Sequence, residues 1–267
     1  MSYNKIITVQ VLWVLGTFWC ISCQFADDHK KHDHREVPSI MIAVAANMQF
    51  AMDELILAFT KDSGTECEVT ISSSGKLTAQ IQQGAPFDIF VSANMKYPNT
   101  IAESGLAVGA PKVYAHGKLV LWTMREDLDP VPESLLNASV RHIALANPET
   151  APYGEAALQI LRNLNLWDIL QKKLVFGESI AQTNQFVMTK AADIGFTAMS
   201  VVLSPELVGK GYWKTIPSDL YHPIEQGVVI INRDGGNTGA AQKFYDFLSS
   251  DRAKAILLRF GYDTDQL

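Results

Sequence analysis

The sequence predicts an α/β fold, and three observations carry that prediction. Short apolar runs, suited to strands buried on both faces, alternate with segments whose apolar residues recur at helical spacing. Residues 70–94, TISSSGKLTAQIQQGAPFDIFVSAN, read as a strand end, a serine-glycine turn, a short helix, a Gly-Ala-Pro break and a second strand. The same junction of strand end, small residues and helix occurs three more times, and no repeat or low-complexity tract interrupts the alternation.

Composition bounds what such a chain can do. Its 267 residues are 48% hydrophobic and 19% charged, ample for the cores of one or two domains. The net charge is −6, and no Lys/Arg-rich run or basic-aromatic interleaving is present, which argues against nucleic acid as a partner. An acidic chain that binds an anion does so through local dipoles rather than a global field.

The N-terminus reads as a leader. Lys5 precedes an apolar run at residues 6–18, and Cys20, Ser22, Cys23 and Ala26 supply small residues for cleavage. Residues 1–26 are therefore expected to be a secretory signal peptide cut after Ala26, the run being too short to span a bilayer. Cys23 is the alternative, a site for a lipid anchor. With the leader removed, Cys67 is the lone cysteine, so no internal disulfide forms and Cys67 reads as a small buried hydrophobe. Residues 27–38, DDHKKHDHREVP, form a charged linker. Its His29, His32 and His34 either bind a metal loosely or are simply solvated.

Residues 40–45 open the folded part as a strand buried on both faces. Met48, Met52, Leu55, Ile56 and Phe59 then share one helical face, with Gly64 beyond its end. Asn47 is expected at the N-cap, on the sheet edge where open α/β folds hold ligands, as an ordinary cap or a ligand donor. At the second junction Ser72, Ser73, Ser74 and Gly75 place hydroxyls and unpaired N–H groups at a positive helix end, again either a cap or an anion site. A short helix ends at Gly105, a strand covers 119–123, and the proline-rich 127–132 suits a crossing between lobes. The strand at 142–146 leads to the third junction, where Pro152 fits a first turn and Tyr153 and Gly154 expose N–H groups. A strand at 173–176 leads to the fourth, at Ser179 and Ile180. Strands at 194–197 and 228–231 and two terminal helices complete the reading.

Several of these pieces carry a family resemblance. AVAANMQFAMDEL, SSSGKLTAQIQQGAPFDIFVSAN, LANPETAPYGEAAL, LWDILQKKLVFGESIAQTNQFV, ADIGFTAMS and KFYDFLSSDRAKAILLRFGY stand in order along residues 39–262. In them the chain resembles the periplasmic molybdate-binding proteins of ABC transporters, which have a type II solute-binding fold. The resemblance implies two lobes, 39–118 plus 226–267 and 119–225, joined by two crossing strands with a ligand cleft between them. It implies that Asn47, Ser74, Tyr153 and Ile180 hold a tetrahedral oxyanion, the last two through backbone N–H groups. It also implies a periplasmic monomer whose partners are molybdate or tungstate and a transporter permease, with no cofactor and no metal beyond the oxyanion itself. Two positions depart from the family: Asn47 replaces a serine, and Ala198 stands where many members have a tyrosine, whose donor is then missing or comes from elsewhere, with Tyr153 as the candidate.

Four helix N-termini at about half a positive charge each would balance a doubly charged anion without Arg or Lys. With no Asp or Glu among the proposed contacts, the site favours an anion with no proton to give. Sulfate is the alternative oxyanion. A secreted hydrolase is the rival class, but no Gly-x-Ser-x-Gly elbow or His-Glu-x-x-His pair is present, so no enzyme is expected. A solute-sensing partner of a signalling receptor would share the same sequence features.

Overall fold

The computed structural model describes residues 38–265. The expected signal peptide, Cys20 and Cys23, the three linker histidines and all but the last residue of the linker lie outside the described residues.

The chain begins with β1 (Ser39–Ala45), α1 (Gln49–Ser63), β2 (Glu66–Ser72), α2 (Ser74–Gln82), β3 (Ile89–Ser92), α3 (Lys96–Glu103) and β4 (Ala107–Gly117). It continues through β5 (Leu119–Thr123), β6 (Ile143–Ala146), α4 (Pro152–Asn163), α5 (Trp167–Leu170), β7 (Leu174–Gly177), α6 (Ile180–Met188), β8 (Ile194–Ala198), α7 (Met199–Val202) and β9 (Tyr212–Thr215). It returns with β10 (Ile224–Ile231), α8 (Thr238–Phe247) and α9 (Asp251–Arg259). Two five-stranded sheets result, ordered β2-β1-β3-β10-β4 and β7-β6-β8-β5-β9. In the first, β1 pairs in parallel with β2 and β3, and β10 runs antiparallel between β3 and β4. In the second, β6 pairs in parallel with β7 and β8, and β5 runs antiparallel between β8 and β9.

Strand periodicity decides which helix layer each residue meets. Ile40, Ile42 and Val44 of β1, with Val228 and Ile230 of β10, face a core completed by Met52, Leu55 and Phe59 of α1 and Phe244 of α8. Ala43, Val229 and Ile231 point the other way, onto Leu77, Ile81 and Ile101 of α2 and α3. Continuous apolar runs are the consequence of helices on both faces. Phe59 meets Phe244 edge-on at 5.0 Å and 86°, a geometry contributing about 0.5–1.5 kcal/mol beyond burial. Around the second sheet Leu119, Leu121, Ile143, Leu145, Ile194 and Phe196 pack with Ile160 and Leu161 of α4 and Val187 of α6.

The structure departs from the sequence reading at four points. The segment at 127–132 stays with the second sheet, where Asp127 pairs with Arg125 and Asp129 with Lys214. The chain instead passes between sheets at Lys118, between β4 and β5, and again between β9 and β10. Its prolines shape a surface loop, which composition cannot tell from a linker. Strand β4 is an eleven-residue edge strand despite Gly109 and Pro111; register shifts against β10 absorb them, as edge strands permit. Strand β9 also lies at an edge, with exposed residues and no alternation to announce it. Cys67 is half-buried rather than buried, and burial pushes its thiol up to about 11, against a smaller opposing effect of Thr60.

Candidate anion-binding site

The carboxyl ends of β1, β2, β3, β6 and β7 converge on one small chamber. Its lining includes Asn47 after β1, Ser73 and Ser74 after β2, Ala93 after β3, Tyr153 at the start of α4 and Ile180 at the start of α6. All four residues expected to bind the ligand are thus brought together, Asn47 and Ser74 from the first sheet and Tyr153 and Ile180 from the second. In each sheet the parallel strand β1 or β6 is flanked on both sides by later strands. The chamber sits at these points, where strand order reverses and open α/β sheets leave a crevice.

The chamber measures about 10 Å³ for the centre of a water-sized sphere. A chamber this small excludes a sugar, an amino acid or a peptide and leaves only ions of a few atoms. No charged residue lines it. Larger hollows of about 590 and 560 Å³ lie beside Trp213 and Trp167. They are open surface grooves, so size alone does not mark the site.

Donors come from helix starts. Pro152 occupies the first turn of α4, leaving Tyr153 as its first N–H. Ser179 caps α6, its hydroxyl accepting from Gln182, so that Ile180 begins the helix. The N–H groups of Ser74, Tyr153 and Ile180 precede the first intrahelical bond. None has an acceptor among the described residues. Gly154 permits the close turn here, since a Cβ on it would collide with the carbonyl of Ala146.

Side chains on the first sheet's side are held from behind. The Ser74 hydroxyl accepts the N–H of Ala93 at 3.0 Å, keeping its own proton free to donate. The expectation that Asn47 is the N-cap of α1 is corrected: it sits within a single 3₁₀ turn ahead of α1, and Met48 holds the cap position. Its amide turns inward and donates to Gln226 Oε1 at 2.8 Å and to the Tyr262 hydroxyl at 2.9 Å. Gln226 sets this orientation. Its Nε2 donates to the carbonyls of Ala93 and Ile224, so its oxygen must face Asn47. Both Asn47 amide hydrogens are therefore committed to protein, and the side-chain donor expected at this position is spent. The carbonyl of Asn47 accepts from Ser200 at 2.8 Å, which joins the two sheets behind the chamber.

The expectation of a site without acceptors meets one exception. Asn47 Oδ1 is buried without a hydrogen bond of good geometry, as is the Tyr153 hydroxyl. The two groups interact, and burial holds the Tyr153 phenol well above its ordinary value. That hydroxyl sits against Gly117 beside the passage between sheets, where a Cβ would collide with it. Ser73, adjacent to the expected Ser74, also lines the chamber with a buried and unpartnered hydroxyl. Its sequence signal was the serine run itself, which does not say which hydroxyl stays free.

Contacts between the two sides close the chamber's mouth. Gly75 N–H donates to the Thr150 carbonyl at 2.9 Å, Tyr97 donates to the Glu149 carbonyl at 3.2 Å, and Lys76 pairs with Glu178 at 2.6 Å. Among the described residues no cluster of His, Cys, Asp and Glu could hold a metal, and no helix is long and apolar enough to cross a membrane.

Comparison with known proteins places this architecture. The molybdate-binding protein ModA of Azotobacter vinelandii is 38% identical over 230 residues, covering 85% of this chain and 90% of the relative. The molybdate-binding protein ModA of Rhodobacter capsulatus is 37% identical over 227 residues, covering 85% and 88%. The solved structure of the Azotobacter vinelandii periplasmic molybdate-binding protein aligns with a TM-score of 0.79 at 33% identity, over 84% of this chain and 98% of that one. These relatives are binding proteins, and this chain is a solute-binding protein rather than an enzyme. The model of the bacterial extracellular solute-binding protein family matches residues 40–263, and to that family the chain belongs.

Proposed function

We propose that the chain captures molybdate, or tungstate, outside the cytoplasm and delivers it to the permease of an ABC transporter. One observation carries the reading: a small chamber, with no charged residue among its described lining, at which unpaired helix-start N–H groups and serine hydroxyls gather. Each helix N-terminus contributes about half a positive charge, so the dipoles of α2, α4 and α6 with the turn before α1 approach the charge of a divalent anion. Asn47, Ser74, Tyr153 and Ile180 are its ligands in this reading, and Asn47 contributes through its backbone because its amide is engaged. The molybdate-binding names of the relatives support the choice of anion.

Residues 39–118 with 226–267 act as one lobe and 119–225 as the other, closing over the anion as a periplasmic monomer. Export by a signal peptide at residues 1–26 and a linker at 27–38 complete the arrangement, with Cys23 as the site of any lipid anchor. Sulfate is the competing ligand. Being smaller, it leaves some donors stretched and its contacts weaker.

A melting-temperature panel of molybdate, tungstate, sulfate and phosphate on the purified protein tests this reading. An anion at a hundred times its dissociation constant stabilises by about 2.7 kcal/mol. Molybdate and tungstate should shift the melt alike and most strongly. A larger shift with sulfate would reassign the ligand, and no shift with any oxyanion would overturn the function.

A further inference from the structure

Ser73 holds the N-cap position of α2 by its backbone, with φ −71° and ψ 150°, yet its side chain makes no capping bond. A serine at this position ordinarily accepts an N–H from the first turn of its helix. Here only the backbone anchors α2, the Ser73 carbonyl accepting the Leu77 N–H at 3.0 Å. The side chain is 3% exposed, and no group among the described residues answers its hydroxyl. Ser74 next to it is different, because its oxygen is occupied by the Ala93 N–H. An unpaired buried hydroxyl destabilises the protein that carries it. Ser73 bears that cost within the lining of the anion chamber.

We propose that Ser73 is a second hydroxyl ligand of the oxyanion, donating to an oxygen that Ser74 does not reach; this rests on the reading of the chamber as an oxyanion site. A neutral hydroxyl suits this task. It donates to a fully deprotonated oxygen without adding charge, and in the protein alone it has no capping bond to give up. The serine run at 72–74 then divides its labour, with Ser73 supplying a free donor and Ser74 a donor whose direction Ala93 sets.

The sign of two measurements separates a ligand from a structural serine. Ser73→Ala should leave the melting temperature without anion unchanged or raised, because it removes an unpaired polar group. The same variant should weaken molybdate binding by calorimetry by about tenfold or more, as expected for a lost charge-assisted bond. Ser73→Thr, which keeps the hydroxyl, should recover most of the affinity. A lowered melting temperature for the anion-free Ser73→Ala protein would show a structural role and overturn the inference. So would a dissociation constant within twofold of wild type. If the wild-type protein binds no tetrahedral oxyanion, the underlying reading fails first and takes this inference with it.

Discussion

The two halves of the molecule carry the same device at the end of each sheet remote from the ligand, and they carry it at different depths. Asp88 stands just ahead of β3 and accepts the N–H of Met41 at 2.8 Å and of Asn237 at 3.0 Å, with Arg233 beside it. Asp193 stands just ahead of β8 and accepts the N–H groups of Arg141 at 2.8 Å and His142 at 3.0 Å, with Arg125 beside it. Asp88 is 2% exposed, whereas the Asp193 side chain keeps 20% of its surface. A carboxylate that ties a parallel strand to its neighbour can thus be a buried keystone or a half-solvated brace. Burial decides how much depends on it.

At the ligand end the halves differ in kind. In the proposed site the first offers side-chain hydroxyls and the backbone of Asn47, with Ser74 aligned by the Ala93 N–H and the Asn47 amide turned away by Gln226. In the same proposal the second offers the backbone N–H groups of Tyr153 and Ile180, which among substitutions only proline deletes. Mutations should therefore report the first half more readily than the second.

The largest effect should come from the buried carboxylate. Asp88→Asn removes one partner of a buried pair and should cost about 3–5 kcal/mol in denaturant unfolding, while Asp193→Asn costs a smaller amount, about 1–3 kcal/mol. Equal losses would erase the distinction drawn from burial. Asp193 also makes a pH test. Burial pushes its carboxyl up, but the N–H groups of His142 and Arg141 and the Arg125 guanidinium outweigh burial and leave it below the ordinary carboxylate value. Its stabilisation is then fully present above about pH 3.9 and is lost as pH falls through the lower folded value. The advantage of wild type over Asp193→Asn should shrink in acid, and an advantage that grows there would contradict the assignment.

Next in size is the hydroxyl of Ser74. Ser74→Ala should weaken molybdate binding by roughly 10- to 150-fold, equivalent to about 1.5–3 kcal/mol. It should also lower the anion-free melting temperature slightly, because the Ala93 N–H loses its acceptor. An unchanged dissociation constant in calorimetry would move Ser74 out of the site.

Smallest is a test of closure. A Cβ on Gly75 would stand 3.0 Å from both Thr150 Cα and the Tyr97 hydroxyl, so Gly75→Ala presses the two sides apart at the mouth. Within α2 the same change favours the helix by up to about 1 kcal/mol. The variant should melt no lower than wild type without anion, yet bind several-fold more weakly and release faster in stopped flow. Tighter binding with slower release would mean the mouth does not have to close.

The parts of this structure visible in the sequence are those decided locally. Residues 40–45 read as a strand because helices cover both its faces, and the four junctions read because glycine, proline and serine limit the backbone there. What stayed hidden depends on distant partners. The inward turn of Asn47 is set by Gln226, 179 positions away, and by Tyr262, 215 away. The pairing of Asp88 with Arg233 spans 145 positions. Ser73 and Ser74 are chemically identical in the sequence, and only the arrival of Ala93 tells them apart. β4 was missed because glycine and proline signal a turn wherever an edge strand does not take them up as a bulge.

The position of β10 has a consequence for how the molecule is made. Every strand of the second sheet lies between residues 119 and 215, but the first sheet waits for β10 between β3 and β4, and its outer helices α8 and α9 follow later still. When the chain is delivered N-terminus first, the half that begins first is the half that is finished last. Its early strands stay short of a partner until nearly the whole protein has been delivered. The long sequence separation between β3 and β10 makes this closure a slow step of folding.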